Sequence, residues 1–306
     1  MKYISDVLKK EYGEKVYKLS LSSGCTCPNR DGKVGFGGCA FCSEGGSGEF
    51  ASVKKNMEAQ MEEAKDRIRK KTNAGLFIAY FQSFSNTYGN VDTLREMYEK
   101  VIRRDDIVIL SLGTRPDCLD DDVMDMLRRL NAIKPVWVEL GLQTMHDETA
   151  ARLNRGYPLK VFEEAVRKLK QAGIQVIVHV IFGLPGETKE DMLRTVRYLG
   201  SLQPGPDGIK LQMLNILKGT ELARRYEKDP FPLLSLEEYA EMVAESMQIL
   251  PEEMVIHRMT GDGPGNLLIA PEWVRNKKKV LNTIRRLCAR EFESDKRLDG
   301  DQDRSR

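Results

Sequence analysis

Four of the six cysteines fall within one short run, Cys25 to Cys42, CTCPNRDGKVGFGGCAFC. Thiols this close can hold a metal, pair as disulfides or sit together by coincidence. A four-cysteine zinc site would use Cys25 and Cys27 with Cys39 and Cys42. The single residue between Cys25 and Cys27 makes it awkward for both sulfurs to reach one tetrahedral ion. A three-ligand set, Cys27, Cys39 and Cys42, suits a [4Fe–4S] cluster and leaves one iron open to a further ligand. Gly37 and Gly38 let such a loop curl. Phe41, beside the last cysteine, is placed to cover the cluster or a neighbouring base. Cys118 at a helix start and Cys288 on a basic helix read as ordinary buried thiols.

A second set of polar residues lies on strands. Side chains alternate along a strand, so Gln82 shares a face with Tyr80 and Ile78, and Arg115 is in phase with Ser111 and Gly113. Trp137, Glu139, Gly141 and Gln143 share one face of VWVELGLQ; His179 aligns with Ile177 and Ile181, and Gln212 with Lys210. Each alone could be structural: Glu139 could pair with Arg115, and a lone strand histidine is commonly a satisfied core residue. Five strands presenting polar groups near one end describe a pocket for a large polar ligand.

The elements that must position these residues alternate. β-branched runs at 16–24, 76–82, 107–113, 136–143, 174–183 and 208–216 are separated by amphipathic stretches near 91–104, 119–131, 159–173, 188–202 and 220–228. Alternation of this kind predicts a parallel sheet of right-handed βαβ units. About six strands suit an open barrel better than the eight of a closed one. The fold expected is therefore α/β, a partial (β/α)6 TIM-like barrel over residues 1–216, with the cysteine loop at 25–42. A C-terminal α/β extension over 217–292 would close the barrel, and the charged, apolar-poor tail 293–306 is expected to be disordered.

The 306 residues and 41% hydrophobic content support a sizeable core. A net charge of +2 gives no global signal for nucleic acid. The opening residues are charged throughout, unlike a signal peptide, and no apolar run approaches the roughly 20 residues of a membrane helix. A cytoplasmic protein is expected, in which clustered cysteines bind metal more often than they form disulfides.

Cys39-Ala-Phe41-Cys42, heading a β/α chain, resembles the radical S-adenosylmethionine (SAM) superfamily. The long first spacing resembles its branch containing the elongator catalytic subunit. The resemblance continues through TRPD (114–117), VELGLQT (138–144), LNRGY (153–157) and VHVIFGLPGET (178–188). CPNRDGKVGFGGCAFC (27–42) and HRMTGDGPGNLLIAPEW (257–273) are similar to a compact YtqA/YhcC-type subgroup. Two departures stand out: YFQSFSNTY lacks a Gly-Gly-Glu run after the second strand, and no acetyltransferase domain follows. The resemblance implies a radical SAM barrel in which Cys27, Cys39 and Cys42 hold the [4Fe–4S] cluster and Cys25 stands by. The open iron would bind SAM, whose reductive cleavage gives a 5′-deoxyadenosyl radical.

By the same resemblance Glu139 would accept from ribose hydroxyls, and Gln143 and Arg155 would hold the methionine carboxylate. Gly183, Leu184 and Pro185, in FGLPGE (182–187), would present backbone groups to adenine. Phe41, Gln82 and Arg115 would line the cofactor site; His179, deeper, would touch SAM or substrate, and with His257, Arg258 and Asp262, which would meet substrate, it is a catalytic candidate. The implied partners are a reductase or flavodoxin-type electron donor and tRNA, with the wobble uridine side chain (carboxymethylaminomethyl to aminomethyl) as target. The cations of VRNKKKVLNTIRRL (274–287) could track its phosphates. A radical enzyme on a metabolite or a protein, and a non-enzymatic zinc-binding barrel, are the alternative readings.

Overall fold

In a computed structural model of the chain, the structure describes residues 2–46, 48, 51, 56–261 and 263–302, with side chains up to 289. The strands are β1 (Lys2–Tyr3), β2 (Tyr17–Leu21), β3 (Phe77–Phe81), β4 (Ile107–Thr114), β5 (Val136–Gln143), β6 (Gln175–Phe182), β7 (Gly208–Met213), β8 (Ile216–Leu217), β9 (Val255–Arg258) and β10 (Leu268–Ala270). The helices are α1 (Ile4–Tyr12), α2 (Met57–Arg69), α3 (Val91–Ile102), α4 (Asp121–Asn131), α5 (Asp147–Arg152), α6 (Leu159–Gln171), α7 (Lys189–Ser201), α8 (Glu221–Lys228), α9 (Leu236–Ile249) and α10 (Lys277–Gln302). Among the described residues no helix is long and apolar enough to cross a membrane.

β2 to β7 form the expected run of neighbours, each parallel to the next, as a curled partial barrel. The sheet then goes further than expected. β9, from the expected C-terminal extension, pairs with β7, and β1 pairs with β9, making eight parallel strands in the order β1-β9-β7-β6-β5-β4-β3-β2. β8 and β10 form a separate antiparallel pair. α10 runs to Gln302, across most of the segment whose composition predicts disorder.

One face of each strand packs outward. Val136, Val138 and Leu140 join Val176, Val178 and Val180 in the main core beneath the helices. α4 and α7 begin on side-chain caps, Asp120 accepting from the Val123 N–H and Thr188 closing a capping box with Asp191. The other face lines the lumen in layers. At the floor, Ile78, Ile109, Trp137 and Ile177 pack against Leu8 of α1, which plugs that end. Above them sit the polar residues. Such plugging leaves the C-terminal ends of the strands as the open end, where chemistry collects in barrels of this type.

Gly208 shows how tightly the closing strand fits. A Cβ there would lie 2.6 Å from the His257 imidazole and 3.1 Å from the Val255 carbonyl oxygen. The ring has little room to yield, because it stacks edge-on against Trp137 at 5.0 Å. Gly208→Ala is expected to cost about 1–3 kcal/mol of stability through overpacking, read as a lower denaturant midpoint at unchanged slope.

Candidate active site

At the open end lies a cleft of about 1430 Å³, counting its mouth. Cys27, Cys39 and Cys42 form part of its wall with Phe41; Glu139, Gln143 and His179 on strands, Gln82 and Arg115 just past strand ends, and Arg155 in the loop between α5 and α6 form another. Cys25 is absent from that wall and packs against the main core. The three cysteines therefore share a cavity that the fourth does not. All six are free thiols. Among the described residues no group of three or more His, Cys, Asp or Glu side chains closes on a point as a single-ion site does.

Hydrogen bonds from LNRGY place the cysteine loop. Asn29 Nδ2 donates to the Asn154 carbonyl at 2.6 Å and, weakly, to Cys39 Sγ at 3.7 Å. Asn154 Nδ2 donates to the Gly38 carbonyl at 2.8 Å, and the Ala40 N–H to the Leu153 carbonyl at 2.8 Å. Arg30 reaches across the loop to the Cys42 and Ser43 carbonyls. Arg155 anchors this assembly to the sheet. It is 2% exposed, and its guanidinium donates to the carbonyls of Leu142 at 2.8 Å, Thr144 at 2.6 Å and Tyr157 at 3.0–3.1 Å, and to Asp147 at 3.0 Å. A guanidinium has five donors, and these bonds use all of them. The methionine carboxylate expected at Arg155 therefore finds no donor there without exchange.

Three non-glycine residues among those described have left-handed backbone: Phe84 (φ 59), Gln143 (φ 69) and Asn154 (φ 54). Phe84 and Gln143 line the cleft, and Asn154 holds its loop. Each such conformation costs of order 1–3 kcal/mol and persists where surrounding structure enforces it. At Gln143 the β5–β6 register slips, so Gly141 pairs with His179 and Gln143 with Val180. The slip lays Gln143 over Gly141, whose missing Cβ would sit 2.8 Å from Gln143 Nε2. Gln143 Oε1 is buried with no partner, an acceptor in a cleft that lacks a donor for it.

Below the cleft, Glu139 is the centre of a buried ion cluster. Its Oε1 accepts from Ser111 Oγ at 2.9 Å and Lys18 Nζ at 3.1 Å. Its Oε2 accepts from His179 Nε2 at 2.7 Å and from Lys210 Nζ. Lys210 also donates to the Tyr80 hydroxyl at 3.2 Å. Burial alone would raise the Glu139 carboxyl, but Lys18, Lys210 and His179 hold it well below the usual range. Burial pushes His179 down to about 4, and Lys210 adds to this against the pull of Glu139. The imidazole is thus neutral at pH 7, with its proton on Nε2 facing Glu139. Four donors saturate the carboxylate, so a ribose hydroxyl reaches it only by displacing one.

The remaining expected residues are spread more widely. Gly183, Leu184 and Pro185 are not in the cleft wall; Leu184 is buried in a small core with Ala40 and Phe41, behind the cysteine loop. Arg258 lines the cleft, whereas His257 lines chambers beside and beneath it. Gly261 lies against the end of β7, its N–H directed at Met213 Sδ, and also lines the cleft. Asp262 falls outside the described residues. Cys118 and Cys288 are buried as expected. Sequence reasoning missed Lys18 as a site residue, although Lys18 and Ser20 alternate in YKLSL in the same way as the polar strand residues it used.

Comparison with known proteins bears on this geometry. The Radical SAM superfamily profile matches residues 24–199 and the Radical_SAM C-terminal domain profile residues 206–290. The chain belongs to the radical SAM superfamily. Members use a [4Fe–4S] cluster and SAM. This radical SAM chain is 45% identical over 278 residues to YtqA of Bacillus subtilis, covering 90% of this chain and 86% of that one. It is 36% identical over 271 residues to YhcC of Escherichia coli, covering 88% and 86%. A 163-residue stretch is 26% identical to the tRNA uridine(34) acetyltransferase of Methanocaldococcus infernus, covering 53% of this chain and 30% of that one. The fold is similar to that of Elp3 from Methanocaldococcus infernus, with a TM-score of 0.63 at 18% identity over 83% of this chain and 58% of that one.

The residues present fit the two cofactors: three thiols on one wall, an unpartnered amide oxygen at Gln143 and a glycine at 141 that keeps the wall low. Two outcomes follow. Arg155→Met, which strips several buried carbonyls of their donor, is expected to cost about 3–5 kcal/mol and to lower iron retention; thermal unfolding and iron analysis check it. Lys210→Met removes a cation that depresses His179, so the imidazole pKa should rise from about 4 toward 6.5 in ¹⁵N NMR of iron-free protein. Protonation of this buried ring opposes folding, so its contribution to stability is lost as pH falls from about 6.5 through 4. The variant, with a folded value nearer 6.5, should show a smaller loss confined to the upper part of that range.

Proposed function

We propose that the protein is a cytoplasmic radical SAM enzyme that modifies the wobble-uridine side chain of tRNA, converting carboxymethylaminomethyl-uridine to aminomethyl-uridine. The observation that carries the cofactor assignment is the division among the cysteines: Cys27, Cys39 and Cys42 share the cleft and Cys25 does not. The three thiolates would hold the cluster, which supplies the electron for reductive cleavage of SAM. Gln143 Oε1 would accept from a donor on SAM, which removes the cost of leaving a buried acceptor unpaired. Arg115 spends three N–H donors on Asp117 and the Arg155 carbonyl, leaving two for an anionic group in the cleft it lines. The strand wall, the cysteine loop, Gly261 and Pro264 would exclude water from the reacting groups.

Two observations support a tRNA substrate. A relative over half the chain is named for uridine 34 of tRNA, and Lys278, Lys279, Arg285 and Arg286 are exposed on α10, where cations can follow a phosphate backbone. A reductase or flavodoxin-type protein would deliver the electron.

Anaerobic reconstitution with iron and sulfide, followed by reductant, SAM and total tRNA from a strain lacking the gene, tests both levels. Wild type and Cys25→Ala should bind iron and release 5′-deoxyadenosine, and Cys27→Ala, Cys39→Ala and Cys42→Ala should lose both. Equal dependence on all four cysteines would favour zinc and end the radical assignment. SAM cleavage with unchanged tRNA nucleosides would end the tRNA assignment alone and favour a metabolite or protein substrate.

A further inference from the structure

Beside the cleft, and continuous with it through Tyr80, Gln82 and Arg258, a second chamber opens in the side of the lumen. Its walls carry four cationic residues, Lys18, Lys210, Arg258 and Lys277, and no acidic one among the described residues. The carboxylate of Glu139 lies behind this wall and takes both Lys18 and Lys210. Lys18 and Lys210 share one carboxylate, and burial pushes the Lys210 ammonium well below its usual range while Glu139 draws it back up; a second anion against this wall would offset that cost. An ammonium has three donors; Lys18 spends one on Glu139, and Lys210 spends one on Glu139 and one on Tyr80. The Tyr80 ring lies under both cations, at 4.8 and 4.5 Å. His257, also in the wall, contributes no charge: burial and then Lys18 push its imidazole well below the usual range.

We propose that this chamber binds a carboxylate carried by the substrate, received by Lys18, Lys210 and Arg258 while SAM occupies the cleft. The inference rests on the proposed reading that a substrate shares the lumen with SAM, and it names the feature by which that substrate is recognised. Depth selects a terminal carboxylate over a backbone phosphate. Lys210 is 3% exposed, and a phosphodiester hindered by sugars on both sides cannot descend to it. Lys18 has 28% of its side chain exposed and can turn toward a ligand. Glu139 then serves as a positioning residue, spacing the two ammonium groups.

The test measures binding to the anaerobically reconstituted holoenzyme with SAM, by calorimetry, for two matched pairs. The first is 5-carboxymethylaminomethyluridine against its carboxamide; the second is N-benzylglycine against its amide, with no nucleobase. Wild type should prefer the carboxylate about tenfold or more, an effect of roughly 1.4 kcal/mol. Lys18→Gln should erase most of the preference and Lys18→Arg, which keeps the charge, should retain it. Preference in the benzyl pair with none in the nucleoside pair would support the chamber while counting against the uridine substrate. Equal binding within both pairs, no binding of either carboxylate, or a preference that survives Lys18→Gln would overturn the proposal.

Discussion

The guanidinium of Arg155 is the constraint on which the open end of the barrel depends. It gathers the Leu142 and Thr144 carbonyls at the end of β5 and just past it, the Tyr157 carbonyl and Asp147 around one buried group. LNRGY is thereby pinned to the sheet, and through Asn29, Asn154 and Ala40 the cysteine loop is pinned to LNRGY. A loop with little secondary structure of its own is held in this way by a strand end and a single side chain. The left-handed backbone at Gln143 and Asn154 flanks the same arginine, so the strain and the group that enforces it are adjacent.

Glu139 organises the layer beneath by similar means, with signs reversed. There an anion collects cations and a neutral ring, and its acceptors are as fully used as the donors of Arg155. Both groups are buried and both are saturated. Among the described residues, the buried side-chain atoms of the cleft without a partner are neutral: the Gln143 amide oxygen and Asn215 Oδ1. Glu139 and Arg155 thus build the walls, and the groups left to meet a ligand are the Gln143 amide, the spare donors of Arg115 and the cations of the side chamber.

Much of this was legible in the sequence, because alternation along a parallel strand is strict. Gln82, Glu139, Gln143 and His179 were placed on the lumen face by counting in twos, and all four line the cleft. The spacing of the cysteines separated Cys25 from the other three, as the cavity does. Other features had no local signal. β1 has two residues and β9 four, too short for a period to show, so the closing of the sheet from both chain ends could not be read. Nor does a residue's type reveal whether its donors are spent: Arg155 looks the same in sequence whether it grips a ligand or four backbone and side-chain acceptors. Leu184 illustrates a third limit, since a turn rich in glycine and proline gives no phase for its side chain, which packs behind the cysteine loop, whereas the contact expected with adenine is through backbone.

The pairing of β1 with β9 also has a consequence in time. Lys2 and Val255 sit side by side, yet about 250 residues of synthesis separate them. The run from β2 to β7 pairs each strand with the next and can assemble as the chain emerges. The first strand must wait with an unsatisfied edge until nearly all the rest exists, and long-range pairing of that kind is slow. The floor plug α1 is tethered to that waiting strand. The lumen of this protein is therefore sealed late, by residues made about 250 positions before their partners.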